Sequence, residues 1–172
     1  GMGGLMSVTG APDTEGGGPV KVGVAVTDLF TGLYASNAIQ AALLERHQSG
    51  LGQYIDLALL DVQAAVLANQ ASNYLIGGTV PQRLGNAHPN IVPYQAFATT
   101  DGHIILSVGN EGQFKRLCQV LKKPKWLKDA RYTSNASRVK NRDALCSTIS
   151  KSLAQHSSQH WLQVLEQHEV PC

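Results

Sequence analysis

The sequence predicts a mixed α/β and α+β chain, in which a partial α/β piece of a large domain is followed by a small α+β domain. Two observations predict this arrangement. Strand-like and helix-like segments alternate in the first half, as they do in a sheet covered by helices. The second half opens with two short strand-like runs around a tight turn and continues with helical patterns. The composition is 43% hydrophobic and 15% charged, which is typical of a folded domain.

The first piece is predicted to span residues 1–78. Residues 20–27 are short, apolar and rich in β-branched side chains, which predicts a buried strand. Apolar residues then recur at helical spacing from 28 to 47. Residues 53–59 predict a second strand, and 60–75 predict a second helix that is apolar on most sides. This order of elements is that of an α/β unit.

Residues 79–93 are predicted to form a linker or lid, because prolines and a glycine punctuate a segment with no periodicity. The second domain is predicted over 94–172. Its first elements are strands at 94–99 and 103–108, since Asp101-Gly102 between them is a strong hairpin signal. Helical patterns follow at about 111–121, 136–155 and 158–168.

Charge and cysteine content exclude several classes of protein. The net charge of +2 is too small to indicate a nucleic-acid partner. No apolar run approaches the roughly 20 residues of a membrane helix, so no membrane partner is expected. Three widely spaced cysteines, Cys118, Cys146 and Cys172, suit a reducing, cytoplasmic compartment. The apolar, glycine-rich start and the abrupt end at Cys172 predict a central fragment of a longer protein.

Asp28 is the candidate catalytic residue. It lies where the predicted strand passes into the predicted helix, and open α/β sheets bind ligands at the carboxyl ends of their strands. The first helical turn offers free N–H groups and the positive end of the dipole, which keep a carboxylate ionised. Gly32, one turn later, leaves room for a close approach. From the residues alone, the simpler alternative that Thr27 or Asp28 only caps the helix stays open.

Longer strings carry a resemblance to a known family. The chain resembles the class III coenzyme A transferases, the formyl-CoA and carnitine CoA-transferase family, in the order and spacing of its motifs over essentially its whole length. The strings are VGVAVTDLFTGLYA at 22–35, AALLER at 41–46, GLGQYID at 50–56, RLGNAHP at 83–89, PYQAF at 93–97 followed by Asp101-Gly102, RVKNR at 138–142, and VPC at 170–172.

The resemblance implies that Asp28 is the nucleophile. Its carboxylate would attack an acyl-CoA thioester, giving a mixed anhydride and then an aspartyl-CoA thioester that a second carboxylic acid consumes. The resemblance also implies acyl-CoA and a carboxylic acid as small-molecule partners, and no metal. Family members have a Rossmann-like half and form interlaced dimers, which implies that the large-domain piece is Rossmann-like and that the protein is a homo-oligomer. The residues that bind CoA are not indicated within this chain.

The family segment that matches 85–90 lies over the active site and can carry a run of glycines. Here Gly85, Asn86 and His88 stand in it, so these residues are predicted to contact substrate or form a lid. The missing glycines put a glycine-type hinge in doubt. A structural role for His88 is the alternative to contact with the far carboxylate of an acyl group.

Three alternatives remain open on sequence. A metal site is disfavoured, because His156 and His160 have no evident third ligand. A CoA-dependent racemase or epimerase of the same superfamily would use the matching aspartate as an acid and base. The strings TDLxTG and PYxxF favour the transferase. A catalytically silent folding or interaction module is the third possibility, and the isolated chain is expected to transfer CoA weakly or not at all.

Overall fold

The computed structural model describes residues 2–172 and divides into two compact units. The first unit ends at Gly85 and the second spans Asn86–Cys172. The division falls within the segment 79–93. The role of that segment as a lid stays a prediction.

The first unit is helical. Its longest element is α2, Val26–Ser49, which confirms the helix predicted from 28 to 47. It ends at Gly50, whose left-handed φ of 73° lets its N–H donate to the Arg46 carbonyl, as glycine commonly does at helix ends. The other helices are α1 (Leu5–Val8), a 3-10 turn (Asp13–Glu15), α3 (Leu59–Val66) and α4 (Ala68–Leu75).

The two strands predicted in this unit are wrong. Residues 20–25 form no strand, and Val26 and Thr27 already belong to α2. Residues 51–58 have no regular structure, and Leu59 begins α3. A run of β-branched residues favours extended backbone, but a strand exists only when a neighbour accepts its hydrogen bonds. Neither segment has such a neighbour among the described residues, so no Rossmann-like sheet is present there.

The helix predicted over 60–75 is present but divided. Ala68 has φ 46°, outside the right-handed helical region, so the hydrogen-bond ladder ends with α3 and restarts in α4. No glycine or proline marks this break. The sequence therefore contains no residue type that would predict this break in the helix.

The second unit opens with the predicted hairpin, which is confirmed. Strand β1, Tyr94–Ala98, pairs antiparallel with β2, His103–Ser107, in the register Tyr94↔Ser107 to Ala98↔His103. The turn is closed by the Thr99 N–H, which donates to the Gly102 carbonyl at 2.9 Å. Phe97, Ile104 and Leu106 point from this hairpin into the core.

Four α-helices complete the second unit and supply most of its core. They are α5 (Glu111–Val120), α6 (Asn135–Lys140), α7 (Arg142–Leu153) and α8 (Ser158–Gln167), with a 3-10 turn at Pro124–Lys128. The helix predicted over 136–155 is thus split at Asn141. Asn110 and Ser157 cap α5 and α8, each accepting a hydrogen bond from a backbone N–H. None of the described helices is both long and apolar enough to cross a membrane.

Candidate functional site

A cavity of about 520 Å³ opens in the first unit where three segments meet. Its walls are residues 2–6, most of the stretch from Lys21 to Asp28, and the start of α3. The irregular segment before α2 and the first turn of α2 line the cavity together with the start of α3. Its lining is largely apolar, with a few polar side chains, which is the usual character of a small-molecule site. Those polar groups are supplied by Lys21, Thr27, Asp28 and Gln63.

Asp28 lies in the first turn of α2, on the wall of this cavity, and is exposed. The cap position of α2 is Ala25, and no side chain caps the helix. The alternative in which Thr27 or Asp28 serves as the N-cap is therefore wrong. A carboxylate in the first turn lies near the backbone N–H groups that the start of the helix leaves without intrahelical partners.

Two further polar residues of the cavity were missed by sequence reasoning. Gln63, on α3, is only 6% exposed, and the Thr27 hydroxyl donates a hydrogen bond to its Oε1. Lys21 is also among the residues that line the cavity. The available signal for Gln63 was its place as a lone amide in the apolar run LLDVQAAVL at 59–67. Nothing in the sequence distinguished Lys21 from any other surface lysine.

The predicted lid residues lie in two different units. Gly85 closes the first unit with a left-handed φ of 58°, a conformation that favours glycine, and its N–H donates to the Gly10 carbonyl at 2.9 Å. It does not line the cavity. Asn86 is exposed at the start of the second unit, and His88 belongs to that unit as well. Contact of these residues with substrate stays a prediction.

His88 is held by its own unit. Its ring stacks on Tyr94 with centroids 5.3 Å apart, and its Nδ1 accepts the Asn90 N–H at 3.1 Å. Burial, and secondly the Arg142 guanidinium, hold the pKa of His88 below its usual range. The ring is therefore neutral near pH 7, and these contacts support the structural alternative for this histidine.

Two arginines of the RVKNR string at 138–142 donate hydrogen bonds to the backbone from His88 to Val92. Arg142 donates to the carbonyls of His88 and Pro89 at 2.7 and 2.9 Å. Arg138 is 1% exposed and donates to the Val92 carbonyl at 2.8 Å. These two arginines therefore anchor the backbone of 88–92.

The histidine pair weighed as a metal site lies together. The rings of His156 and His160 have centroids 4.2 Å apart, and both contact Trp161 edge to face. Within the described residues no group of three histidine, cysteine, aspartate or glutamate side chains could hold a metal ion. The contacts with Trp161 give the pair a packing role.

The sequence was compared with known proteins, and it is similar to several of them over nearly its whole length. Residues 1–172 match the family described as CoA-transferase family III. The chain is 52% identical over 171 residues to the succinate–glutarate CoA-transferase of Agrobacterium fabrum, covering 99% of this chain and 42% of that protein. It is 45% identical to the succinyl-CoA:glutarate CoA-transferase of Mus musculus, covering 99% of this chain and 38% of that protein.

The chain is also similar to a solved structure. A CAIB/BAIF family protein from Brucella suis is 47% identical, with a TM-score of 0.69, and the match covers 99% of this chain and 44% of that one. The chain thus spans about two fifths of the length of the relatives that it matches. Because the family match extends over the whole sequence, the chain belongs to CoA-transferase family III.

Proposed function

We propose that this chain is the part of a CoA-transferase that carries the nucleophile, Asp28, and that the enzyme moves coenzyme A between an acyl-CoA and a carboxylic acid. The observation that carries the proposal is the placement of Asp28. Its carboxylate lies in the first turn of a 24-residue helix, on the wall of a cavity, and it is not used as a helix cap. The family membership supports CoA transfer as the reaction in which this carboxylate would take part.

The proposed reaction divides the transfer into steps of similar difficulty. An oxygen of Asp28 attacks the thioester carbonyl, the carbon–sulfur bond breaks, and CoA leaves as a thiolate. The thiolate attacks the aspartyl carbonyl of the mixed anhydride and displaces the first acid as a carboxylate. The resulting aspartyl-CoA thioester is attacked by the second carboxylate, and the same two steps run in reverse. Each step exchanges one anion for another, so no net proton is needed.

The substrate class that we propose is the short dicarboxylic acids. The two relatives described above are named for succinate or succinyl-CoA and for glutarate, at 52% and 45% identity. A dicarboxylate keeps one carboxylate free while the other reacts at Asp28. Lys21 is among the residues that line the same cavity, and its positive charge has the right sign to attract that free end. His88 is a weaker candidate for this contact because its lowered pKa leaves it uncharged.

The whole enzyme is proposed to be a homo-oligomer in a reducing, cytoplasmic compartment. Many large apolar side chains of the first unit are exposed, among them Leu29, Leu33 and Leu44 on α2, and patches of this kind usually mark interaction surfaces. Cys118, Cys146 and Cys172 are free thiols, which suits a reducing compartment. The isolated 172-residue chain is expected to associate, which light scattering over a range of concentrations tests, and to transfer CoA weakly.

The test uses a full-length chimera in which this chain replaces the matching segment of the Agrobacterium fabrum relative. Asp28→Asn keeps the shape of the side chain and replaces the nucleophilic carboxylate with an uncharged amide, so CoA exchange should fall by roughly 10⁴-fold or more. Asp61→Asn, an exposed carboxylate outside the cavity lining, is the matched control and should exchange normally.

Hydroxylamine added during turnover should leave a hydroxamate on the peptide that contains Asp28 and not on that of the Asn variant. Exchange at the parent rate by Asp28→Asn, with deamidation excluded by mass spectrometry, would show that the assignment is wrong.

A further inference from the structure

Gln63 is the buried polar group of the cavity that the proposed chemistry has not used. Val62 and Gln63 are the two buried side chains within residues 2–85, where most side chains stay at least partly exposed. An amide taken out of water costs free energy unless both its ends are hydrogen-bonded. A glutamine at one of the two buried positions therefore needs a hydrogen-bond partner for both the oxygen and the nitrogen of its amide.

One end of this amide is satisfied and the other is not. The Thr27 hydroxyl donates to Oε1 of Gln63, which fixes the direction of the side chain. Within the described residues, the Nε2 of Gln63 is buried and has no hydrogen-bond partner. A buried N–H left without an acceptor is destabilising, so such a group is usually completed by a ligand, a water or another chain.

The side chain is also held at its stem. A Cβ placed on Gly3 would overlap Cγ of Gln63, so glycine allows the backbone before α1 to lie directly against the glutamine. With the stem packed by Gly3 and the tip bonded to Thr27, the free N–H groups are directed rather than mobile. A donor held in place before a reaction costs no reorganisation when charge develops nearby.

An acceptor for this amide can come from the cavity, because Gln63 is among the residues that line it. Gln63, Thr27 and Asp28 all line it, and Thr27, which orients the amide, is the immediate neighbour of Asp28. Oxygens that become negative at Asp28 during transfer are those of the thioester, of the anhydride carbonyls and of the acid substrate. An amide N–H recognises such an oxygen, whereas it would not attract a cation.

We propose that the Nε2 of Gln63 donates a hydrogen bond to an acyl or carboxylate oxygen of the substrate at Asp28, and so stabilises the negative charge that forms there. This inference rests on the function proposed for Asp28. Thr27 acts as a positioning residue, because it touches Gln63 rather than the reacting atoms.

Two substitutions in the full-length chimera remove the donor in different ways. Gln63→Glu keeps the stem and an oxygen for Thr27 but replaces the amide nitrogen with oxygen. Gln63→Met keeps the length of the side chain and removes both polar ends. Each should lower kcat by roughly 10²–10³-fold, the usual loss for one oxyanion donor. Gln40→Glu, which makes the same change of charge on an exposed position of α2, is the matched control and should leave exchange unchanged.

Two readouts separate substrate contact from structural support. The loss in Gln63→Glu, relative to the parent at each pH, should shrink as pH falls, because a protonated carboxyl group can donate; the loss in Gln63→Met should not. With a substrate labelled with carbon-13 at the reacting carbonyl, the infrared carbonyl band of the acyl-enzyme should move to higher frequency in Gln63→Met, as a hydrogen bond is lost. Thr27→Val should produce a smaller shift in the same direction.

The outcomes distinguish this inference from the function on which it rests. Exchange by both Gln63 variants within about threefold of the parent, while Asp28→Asn is inactive, would overturn the role of Gln63 and keep the function. Reduced exchange with an unmoved carbonyl band would assign Gln63 to structural support, which also overturns it. Absence of exchange by the parent chimera would overturn the proposed function, and the inference with it.

Discussion

The two units of this chain differ in where their apolar side chains lie. Residues 86–172 bury one continuous core that joins the hairpin to all four helices. Residues 2–85 contain a longer helix but bury one apolar side chain, Val62. Along α2 and its neighbours, large apolar side chains are exposed instead, and Tyr54 in the extended segment after α2 is 93% exposed.

The unit that contains the buried core is therefore not the unit that contains the candidate nucleophile. Large apolar side chains on α2, among them Leu29, Leu33 and Leu44, are exposed because the first unit does not itself cover them. The candidate nucleophile nevertheless lies in that unit, at the start of that helix. Residues 86–172 therefore contain the continuous core of this chain, whereas Asp28 and the cavity lie in the unit that buries few side chains.

The largest effect is expected on folding, when residues 1–85 and residues 86–172 are expressed as separate polypeptides. Residues 86–172 should fold alone, because burial within that unit can offset the conformational entropy lost on folding, whereas residues 1–85 should not. Circular dichroism with thermal unfolding, and the dispersion of backbone amide signals in NMR spectra, measure this. A cooperative transition from residues 1–85 alone would show that the comparison between the units is wrong.

A large effect on stability alone is expected from Arg138→Met. The guanidinium donates to the carbonyls of Val92 and Tyr132 and to Glu111, and it lies over the Phe114 ring at 4.3 Å. Its loss leaves two buried carbonyls unpaired, so the free energy of unfolding should fall by about 2–4 kcal/mol. Both tryptophans of the chain, Trp126 and Trp161, lie in this unit, so their fluorescence during guanidinium unfolding reports it.

The control for Arg138→Met is Arg131→Met. Arg131 pairs with Asp129 at 2.7 Å, but its side chain is 57% exposed, so its loss should lower the stability much less than the loss of Arg138 does. Equal effects of the two substitutions would contradict the role given to Arg138. Asp28→Asn should leave this fluorescence transition where it is, since Asp28 belongs to the other unit.

A smaller effect is expected at the start of α5. The Asn110 side chain accepts the Gln113 N–H at 2.9 Å, and Asn110→Ala should lower the free energy of unfolding by about 0.5–2 kcal/mol. Asn110→Asp keeps an acceptor at the same position and should retain most of the stability. If the alanine variant unfolded at the same guanidinium concentration as the parent, the cap would be of no consequence to this unit.

The features that sequence could predict are the local ones. The Asp101-Gly102 turn depends on neighbouring residues, and the hairpin predicted from it is confirmed. Helical patterns predicted the helices of the second unit, although the single helix expected over 136–155 is divided at Asn141. The strands expected at 20–27 and 53–59 depended on partners distant in sequence. A pattern of β-branched residues cannot supply such partners.

The candidate site was predictable to the same extent. The position of Asp28 at the start of a helix followed from local pattern, and the motif resemblance led to the right family. The role of Asp28 as the nucleophile stays a prediction. Gln63 was missed because its burial depends on how α2 packs against α3, which no spacing along the chain encodes. Arg138 was noticed only as part of a motif, and its burial and four partners emerged from the fold.

The smallest expected effect is a dependence of stability on pH in the second unit. Hydrogen bonds from Arg138, its charge, and the Asn135 N–H hold the pKa of Glu111 below the ordinary value of 4.5. A carboxyl group whose pKa is lower in the folded state stabilises that state fully above its unfolded pKa. This stabilisation is lost as pH falls through the lower, folded value. Residues 86–172 should therefore lose stability below about pH 4.5, and Glu111→Gln should lose less over the same range.

Because the Glu111 side chain is 57% exposed, the difference between parent and Glu111→Gln should be below about 1 kcal/mol. Guanidinium unfolding followed by tryptophan fluorescence at a series of pH values from 7 to 3 measures it. Asp101 and Asp129 also have lowered pKa values, so Asp129→Asn serves as a control for general acid destabilisation. Parallel pH curves for the parent and Glu111→Gln would mean that the Arg138–Glu111 pair adds nothing to the stability, and that Arg138 acts through its bonds to the backbone alone.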